Sequence, residues 1–260
     1  MTDFSLDFLL RGNAEKGEGG GWLSHTESVL IRSALAFSIG FMFTYSISRE
    51  KKYNHRDFKD SEVNKKLTNP EQFIIDSLNE SADVKRAVAK NCTEAIVGVC
   101  KVIAASFKAC NQLLICGNGG SASDSEHLAG EFTCRLSGEF NRPAMPAVAL
   151  TANTNFLTAF TNDFGFDRIF ERQVEAIGRK GDVLLGISTS GNSENVIKAV
   201  KLAKEKGITT VSLCGDKGKL KDICDYSICV PTQDNMRIQE AHIVIYHLIC
   251  YIVEREVYGE

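Results

Sequence analysis

The chain has no CxxC pair, and its nine cysteines form an odd, scattered set. That excludes a disulfide framework and a zinc ribbon or finger. Cys116, Cys214, Cys229 and Cys250 sit inside apolar runs, as reduced, buried thiols of a cytosolic protein do. A basic excess is also missing. The net charge is −3, which argues against nucleic acid as the main partner. Residues 1–68 show no compact three-helix pattern of the kind that reads DNA. The apolar stretch Val29–Ile47 starts late and lacks a small-residue cleavage site, so it does not read as a signal peptide. What is present is 43% hydrophobic and 24% charged residues in 260, enough for a large core in one domain with an extension.

The extension is residues 1–68, expected to be flexible or partly helical. Gly12–Gly21 is rich in Gly, Glu and Lys, a composition that resists packing. Val29–Ile47 is about long enough to span a bilayer, but Arg32 and several hydroxyls interrupt it. Positive charges follow it at Arg49, Lys51, Lys52, Arg56 and Lys59, which would leave the next domain in the cytoplasm. Membrane contact through this stretch is the less favoured reading. A helix packed on a partner, or an extension that never folds, competes well with it. The expected location is cytoplasmic.

The domain is expected over 69–260. Asn69-Pro70-Glu71 is a helix start, with Asn as N-cap, Pro at the first helical position and Glu in the first turn. One helix is expected through Phe73, Ile74 and Leu78. A second is expected from about Asp83, with Val84, Val88, Cys92, Ile96, Val99, Ile103 and Phe107 on one stripe. Strands then alternate with helices: Leu113–Cys116, Ala147–Leu150, Val183–Ile187, Thr209–Cys214 and Tyr226–Val230 are strands, and a last helix runs from about Arg237 to Val257. The fold class is therefore α/β: a doubly wound, five-stranded parallel sheet in a three-layer, flavodoxin-like sandwich with a helical lead-in. Ligands of such sheets sit beyond the carboxyl ends of the strands.

Two loops lie there. Cys116-Gly117-Asn118-Gly119-Gly120-Ser121 lets the backbone turn sharply and approach a ligand. It is not a GxGxxG, and no acidic residue follows a second strand where a dinucleotide fold needs one. The other loop, Ser188-Thr189-Ser190-Gly191-Asn192-Ser193, joins a strand to a helix start. Four hydroxyls and unpaired N–H groups there suit an anion, and no Lys or Arg lies between Val183 and Asn195. An ordinary Ser/Thr N-cap fits the same residues. His127 and Glu131, spaced i,i+4, share one helix face and suit either a metal or acid–base work. Gln239 and His247 lie eight apart, near enough in angle to face one cleft. Packed or surface roles fit each of these residues taken singly.

Taken together, CGNGGSASDSEHLAGEF, the stretch from Ala152 to Val200, and RIQEAHIVIYHLI resemble the sugar isomerase (SIS) domain, and more narrowly the bacterial phosphoheptose isomerases. The resemblance covers about Asn69 to Glu256. It implies a phosphate loop of Ser188, Thr189, Ser190 and Ser193. It implies substrate contacts from Asn118, Gly119, Gly120, Asn162, Asp163, Glu131 and Gln239. It implies one Zn2+ per subunit on His127, Glu131, Gln239 and His247, with Glu131 as base and His247 as acid. The substrate implied is a phosphorylated seven-carbon sugar, sedoheptulose 7-phosphate, isomerised for heptose biosynthesis feeding lipopolysaccharide, capsule or other surface glycans. The assembly implied is a homotetramer with active sites between subunits, and no nucleic acid. One branch of the same fold is non-catalytic and associates with the replication initiator; it lacks counterparts of Glu131 and His247, and both are present here. Arabinose 5-phosphate isomerases are a further alternative. They usually carry a paired regulatory module after the domain, and this chain is expected to end at Glu260 without one.

Overall fold

The computed structural model describes residues 67–259. The expectations for the extension, Val29–Ile47 included, lie outside the described residues. Two helices lead in, α1 (Pro70–Asn91) and α2 (Thr93–Lys108). The order is then β1 (Leu113–Gly117), α3 (Gly120–Thr133), β2 (Ala147–Ala149), α4 (Thr154–Phe164), a single 3-10 turn (Phe166–Arg168) and α5 (Ile169–Ile177). It closes with β3 (Val183–Ser188), α6 (Glu194–Glu205), β4 (Thr209–Gly215), α7 (Leu220–Ile223), β5 (Tyr226–Val230) and α8 (Asn235–Tyr258).

The five strands are parallel in the order β2-β1-β3-β4-β5, a flavodoxin-like winding that reverses between β1 and β3. Register is set by alternation. Leu113 and Ile115 of β1, Val183, Leu185 and Ile187 of β3, and Val211 and Leu213 of β4 face the layer of α2, α3 and α8. Leu114, Cys116 and Leu184 face α5 and α6 on the other side. Buried Asp182 fastens the start of the sheet, its carboxylate accepting from the backbone N–H of Gln112 at 3.0 Å and of Arg179 at 2.8 Å.

The lead-in corrects one expectation. Asn69 does cap α1, its side chain accepting from Gln72 N–H at 3.1 Å. The helix then continues past Leu78 and Asp83 without a break. Arg237 of α8 grips Ser77 and Glu80, and Lys85 reaches Ser81, so this span has partners as a helix. The break falls at Cys92. There the Thr93 hydroxyl bonds back to the Ala89 carbonyl at 2.6 Å, a contact that bends helices, and the Cys92 thiol donates to Cys229 O of β5. The apolar stripe runs on across the bend, with Val88, Cys92, Ile96, Val99 and Ile103 all buried.

All nine cysteines are free thiols. Burial pushes Cys100 and Cys250 up to about 12, so both are inert at neutral pH. His242 of α8 is wholly buried, and neither ring nitrogen has a partner among the described residues. Desolvation holds its pKa down at about 4, partly opposed by the Cys214 backbone. The native state thus keeps this ring neutral. Its contribution to stability is complete above the unfolded value of 6.5 and is lost as pH falls towards about 4. The expected size at full protonation is about 3 kcal/mol, at about 1.4 kcal/mol per pH unit. His242→Leu should therefore show a shallower fall in Tm between pH 7 and about pH 4.5. An unchanged slope would refute the assignment.

Candidate active site

The reversal of strand order places the loops after β1 and β3 side by side. Gly119 adopts a left-handed φ of 55° as it turns the chain into α3. The Asn118 and Asn195 side chains bond each other reciprocally at 2.9 and 2.8 Å, joining the glycine turn to the first turn of α6. The second loop is equally fixed. Ser188 and Ser193 hydroxyls lie 2.9 Å apart, so Ser193 does not cap α6 through its side chain. Gly191 turns with a φ of 64°, and a Cβ there would meet Lys217 O at 2.5 Å. The segment after β4 thus buttresses the loop from below, and Gly215 N–H donates to Thr189 O at 3.2 Å. Around this helix N-terminus Ser190 is exposed and Thr189 and Ser193 are half-buried.

α3 and α8 pack against each other on one face of the sheet. At the glycine turn, a Cβ on Gly120 would stand 2.7 Å from the Gln239 amide nitrogen, so glycine is required there for α8 to come this close. Seven residues further along each helix, the Tyr246 hydroxyl meets His127 Nδ1 at 2.8 Å. The equal step shows that the two helices run in the same direction. That run carries His127 and Glu131 of α3 up to His247 of α8.

These three offer metal-ligating atoms within 4.8 Å of one another. His127 Nε2 and a Glu131 oxygen are 3.0 Å apart, and the His127 and His247 rings meet edge to face at 5.1 Å. Burial, with His127 next to it, holds His247 below the ordinary imidazole range, against the pull of Glu131. Two imidazoles and a carboxylate are the donor set that a zinc-like divalent cation prefers, with room left for a substrate oxygen. Gln239 is not in this cluster within one protomer. It lies at the glycine turn, eight helical residues, or about 12 Å, along α8 from His247. Asn162 and Asp163 are also elsewhere. They bond each other at 2.9 Å on the exposed helix α4, none of whose residues is buried.

Three residues of the site were not anticipated. Asp124 lies one turn before His127, buried, with one carboxylate oxygen lacking a partner among the described residues. Desolvation pushes its pKa up to about 6, with His127 pulling the other way. The spacing Asp124, His127, Glu131 (i, i+3, i+7) is a one-face pattern and was available in the sequence. Tyr246 packs edge to face on both histidines. Arg142 ends α3: its guanidinium donates to the Glu131 and Phe132 carbonyls at 2.8 Å each and pairs with Glu254 of α8 at 3.2 Å, both side chains fully buried. No spacing signals a pair drawn from positions 112 apart.

A profile of the SIS domain matches residues 78–215. The chain is 48% identical over 191 residues to a phosphoheptose isomerase of Clostridium acetobutylicum, a match covering 72% of this chain and 96% of that one. It is 45% identical to one of Roseiflexus, over 73% of this chain and 95% of that protein. Among solved structures it is similar to phosphoheptose isomerase GmhA from Neisseria gonorrhoeae, with 40% identity, a TM-score of 0.67, and coverage of 71% of this chain and 98% of that one. The corresponding figures for a phosphoheptose isomerase from Francisella tularensis are 32%, 0.69, 72% and 100%.

Proposed function

The chain belongs to the SIS domain family and, within it, to the phosphoheptose isomerases, and from that membership we propose how its own residues carry the reaction. It is an aldose–ketose isomerase of heptose biosynthesis, converting D-sedoheptulose 7-phosphate to D-glycero-D-manno-heptose 7-phosphate. The non-catalytic and arabinose 5-phosphate alternatives are not favoured. The observation that carries the mechanism is the convergence of His127, Glu131 and His247 from two helices.

The reaction moves one proton between C1 and C2 and shifts the carbonyl, passing through an enediol. Glu131, half-buried beside His127, takes the proton from one carbon and returns it to the other. His247, kept neutral by burial, gives its N–H proton to the carbonyl oxygen as the enediol forms and recovers a proton from the neighbouring hydroxyl as the enediol collapses to the new carbonyl. The residues fit Zn2+, which when bound would polarise the carbonyl and orient the two substrate oxygens. His127, Glu131 and His247 would hold it; Gln239, which the family resemblance also gives as a ligand, stands at the glycine turn, too far along α8 to join them within the same protomer. The loop Ser188, Thr189, Ser190 and Ser193 binds the phosphate through hydroxyls and helix N–H groups, far from the reacting carbons, and so positions them. Asn118, Gly119 and Gly120 line the sugar, and Asn162 and Asp163 contribute from α4. Incubating the pure protein with sedoheptulose 7-phosphate should give the aldose, with a rate that chelation lowers and zinc restores. No aldose under either condition overturns the reading.

The assembly proposed is a homotetramer. The first turns of α1 expose Phe73, Ile74, Ile75 and Leu78, and α8 exposes Val244, Leu248 and Ile252. Apolar exposure on this scale marks an interface. Domain 69–260 is the catalytic and assembling unit, and among the described residues no helix is long and apolar enough to cross a membrane. Removing residues 1–66 should leave turnover unchanged, and light scattering should still give the same number of subunits per assembly. A fall to monomer would show that the extension belongs to the interface.

A further inference from the structure

Tyr246 is buried, and its hydroxyl is the partner of His127 at Nδ1, 2.8 Å away. The other ring nitrogen of His127 faces Glu131 at 3.0 Å. Each nitrogen therefore has one partner, and the two partners differ in kind. An ionised carboxylate only accepts, whereas a phenol both donates and accepts. With no cation present, His127 carries its proton on Nε2 to meet the carboxylate, and Tyr246 donates to the bare Nδ1. When a cation takes Nε2, the ring proton must sit on Nδ1, and the hydroxyl turns to accept it. One rotation of a hydroxyl keeps the ring bonded in both states. The same phenol ring stacks edge to face on His127 at 5.4 Å and on His247 at 4.9 Å, fixing the planes of both imidazoles.

We propose that Tyr246 is the positioning residue of this site: its hydroxyl orients His127 and holds Nδ1 in either tautomer, so that Nε2 is presented for cation binding. The proposal rests on the reading of His127, Glu131 and His247 as the metal-ligating group. It adds a group that touches neither substrate nor metal and acts through His127. Partners of this kind, bonded to the far nitrogen of a ligating histidine, are typically worth ten- to a hundredfold in metal affinity.

Tyr246→Phe separates the hydroxyl from the ring, because the phenyl keeps the edge-to-face packing on both histidines. The full-length protein would be titrated with Zn2+ against a chromophoric chelator. Zinc affinity should fall about tenfold or more in the variant, with Tm close to that of the parent. In metal-free protein, the Nδ1 resonance of His127 in 15N-resolved NMR, assigned with His127→Gln, should move as its hydrogen bond is lost. A purely packing role for Tyr246 moves neither readout. Affinity within twofold of the parent, together with an unmoved Nδ1 resonance, overturns the proposal. If the parent protein takes up no zinc, the metal reading of the site fails. The Nδ1 resonance then decides Tyr246 alone: a shift supports its hold on His127, and no shift overturns it.

Discussion

Glu131→Gln is expected to lower turnover of sedoheptulose 7-phosphate about a thousandfold, within the range that general-base removal produces. The substitution keeps the size of the side chain and one acceptor oxygen, so the contact with His127 Nε2 at 3.0 Å survives in outline. It removes the negative charge and with it the capacity to take a proton from carbon. The phosphate handle is built elsewhere, at the loop from Ser188 to Ser193, and the Ser188–Ser193 contact does not involve α3. Binding of inorganic phosphate or of the substrate, followed by calorimetry, should thus stay within a few-fold of the parent. Zinc content is measured alongside, because Glu131 is also placed to ligate. Turnover close to that of the parent, at equal zinc, would refute the base assignment.

Arg142→Leu is expected to destabilise the domain by about 3–5 kcal/mol, the cost of leaving a buried partner charge uncompensated. Its guanidinium is wholly enclosed, paired with Glu254 and donating to the last carbonyls of α3. Among the described residues, leucine leaves Glu254 with the Arg255 contact at 2.7 Å, strips the Glu131 carbonyl of its guanidinium donor, and leaves the Phe132 carbonyl with the Met145 N–H at 3.1 Å. For a domain of this size the loss should read as a fall in Tm of about 10 °C. The double variant Arg142→Leu/Glu254→Leu should be less destabilised than the single one, since it removes the stranded carboxylate as well. If the single variant loses less than about 1 kcal/mol, the pair is not holding the helix end. Because the Glu131 carbonyl is one of the acceptors, activity of the surviving folded fraction should fall too.

The layout of the domain was legible because each element announces itself locally. Val183–Ile187 is an uninterrupted apolar run, as a strand covered on both faces must be. Asn69-Pro70-Glu71 satisfies its own N-cap. His127 and Glu131 share a face by helical spacing alone, and their contact is internal to α3. The two loops could be located because parallel sheets place ligands beyond their carboxyl ends, and the winding confirms that these loops flank the reversal of strand order. Less legible was the lead-in, where the bend at Cys92 depends on a hydroxyl back-bond and on a strand more than a hundred residues away.

By itself the sequence determined the strands, the two ligand loops and the His127/Glu131 pair, since those follow from backbone periodicity and from interactions within a few residues. The tertiary structure alone decided that α3 and α8 lie side by side in the same direction. That packing joins Tyr246 to His127 across 119 positions and brings His247 beside it, sets the Gln239 amide against Gly120 at the glycine turn, and buries Arg142 against Glu254. The physical reason is that helix-to-helix register is fixed by which side chains interlock across the interface, and no local spacing encodes it.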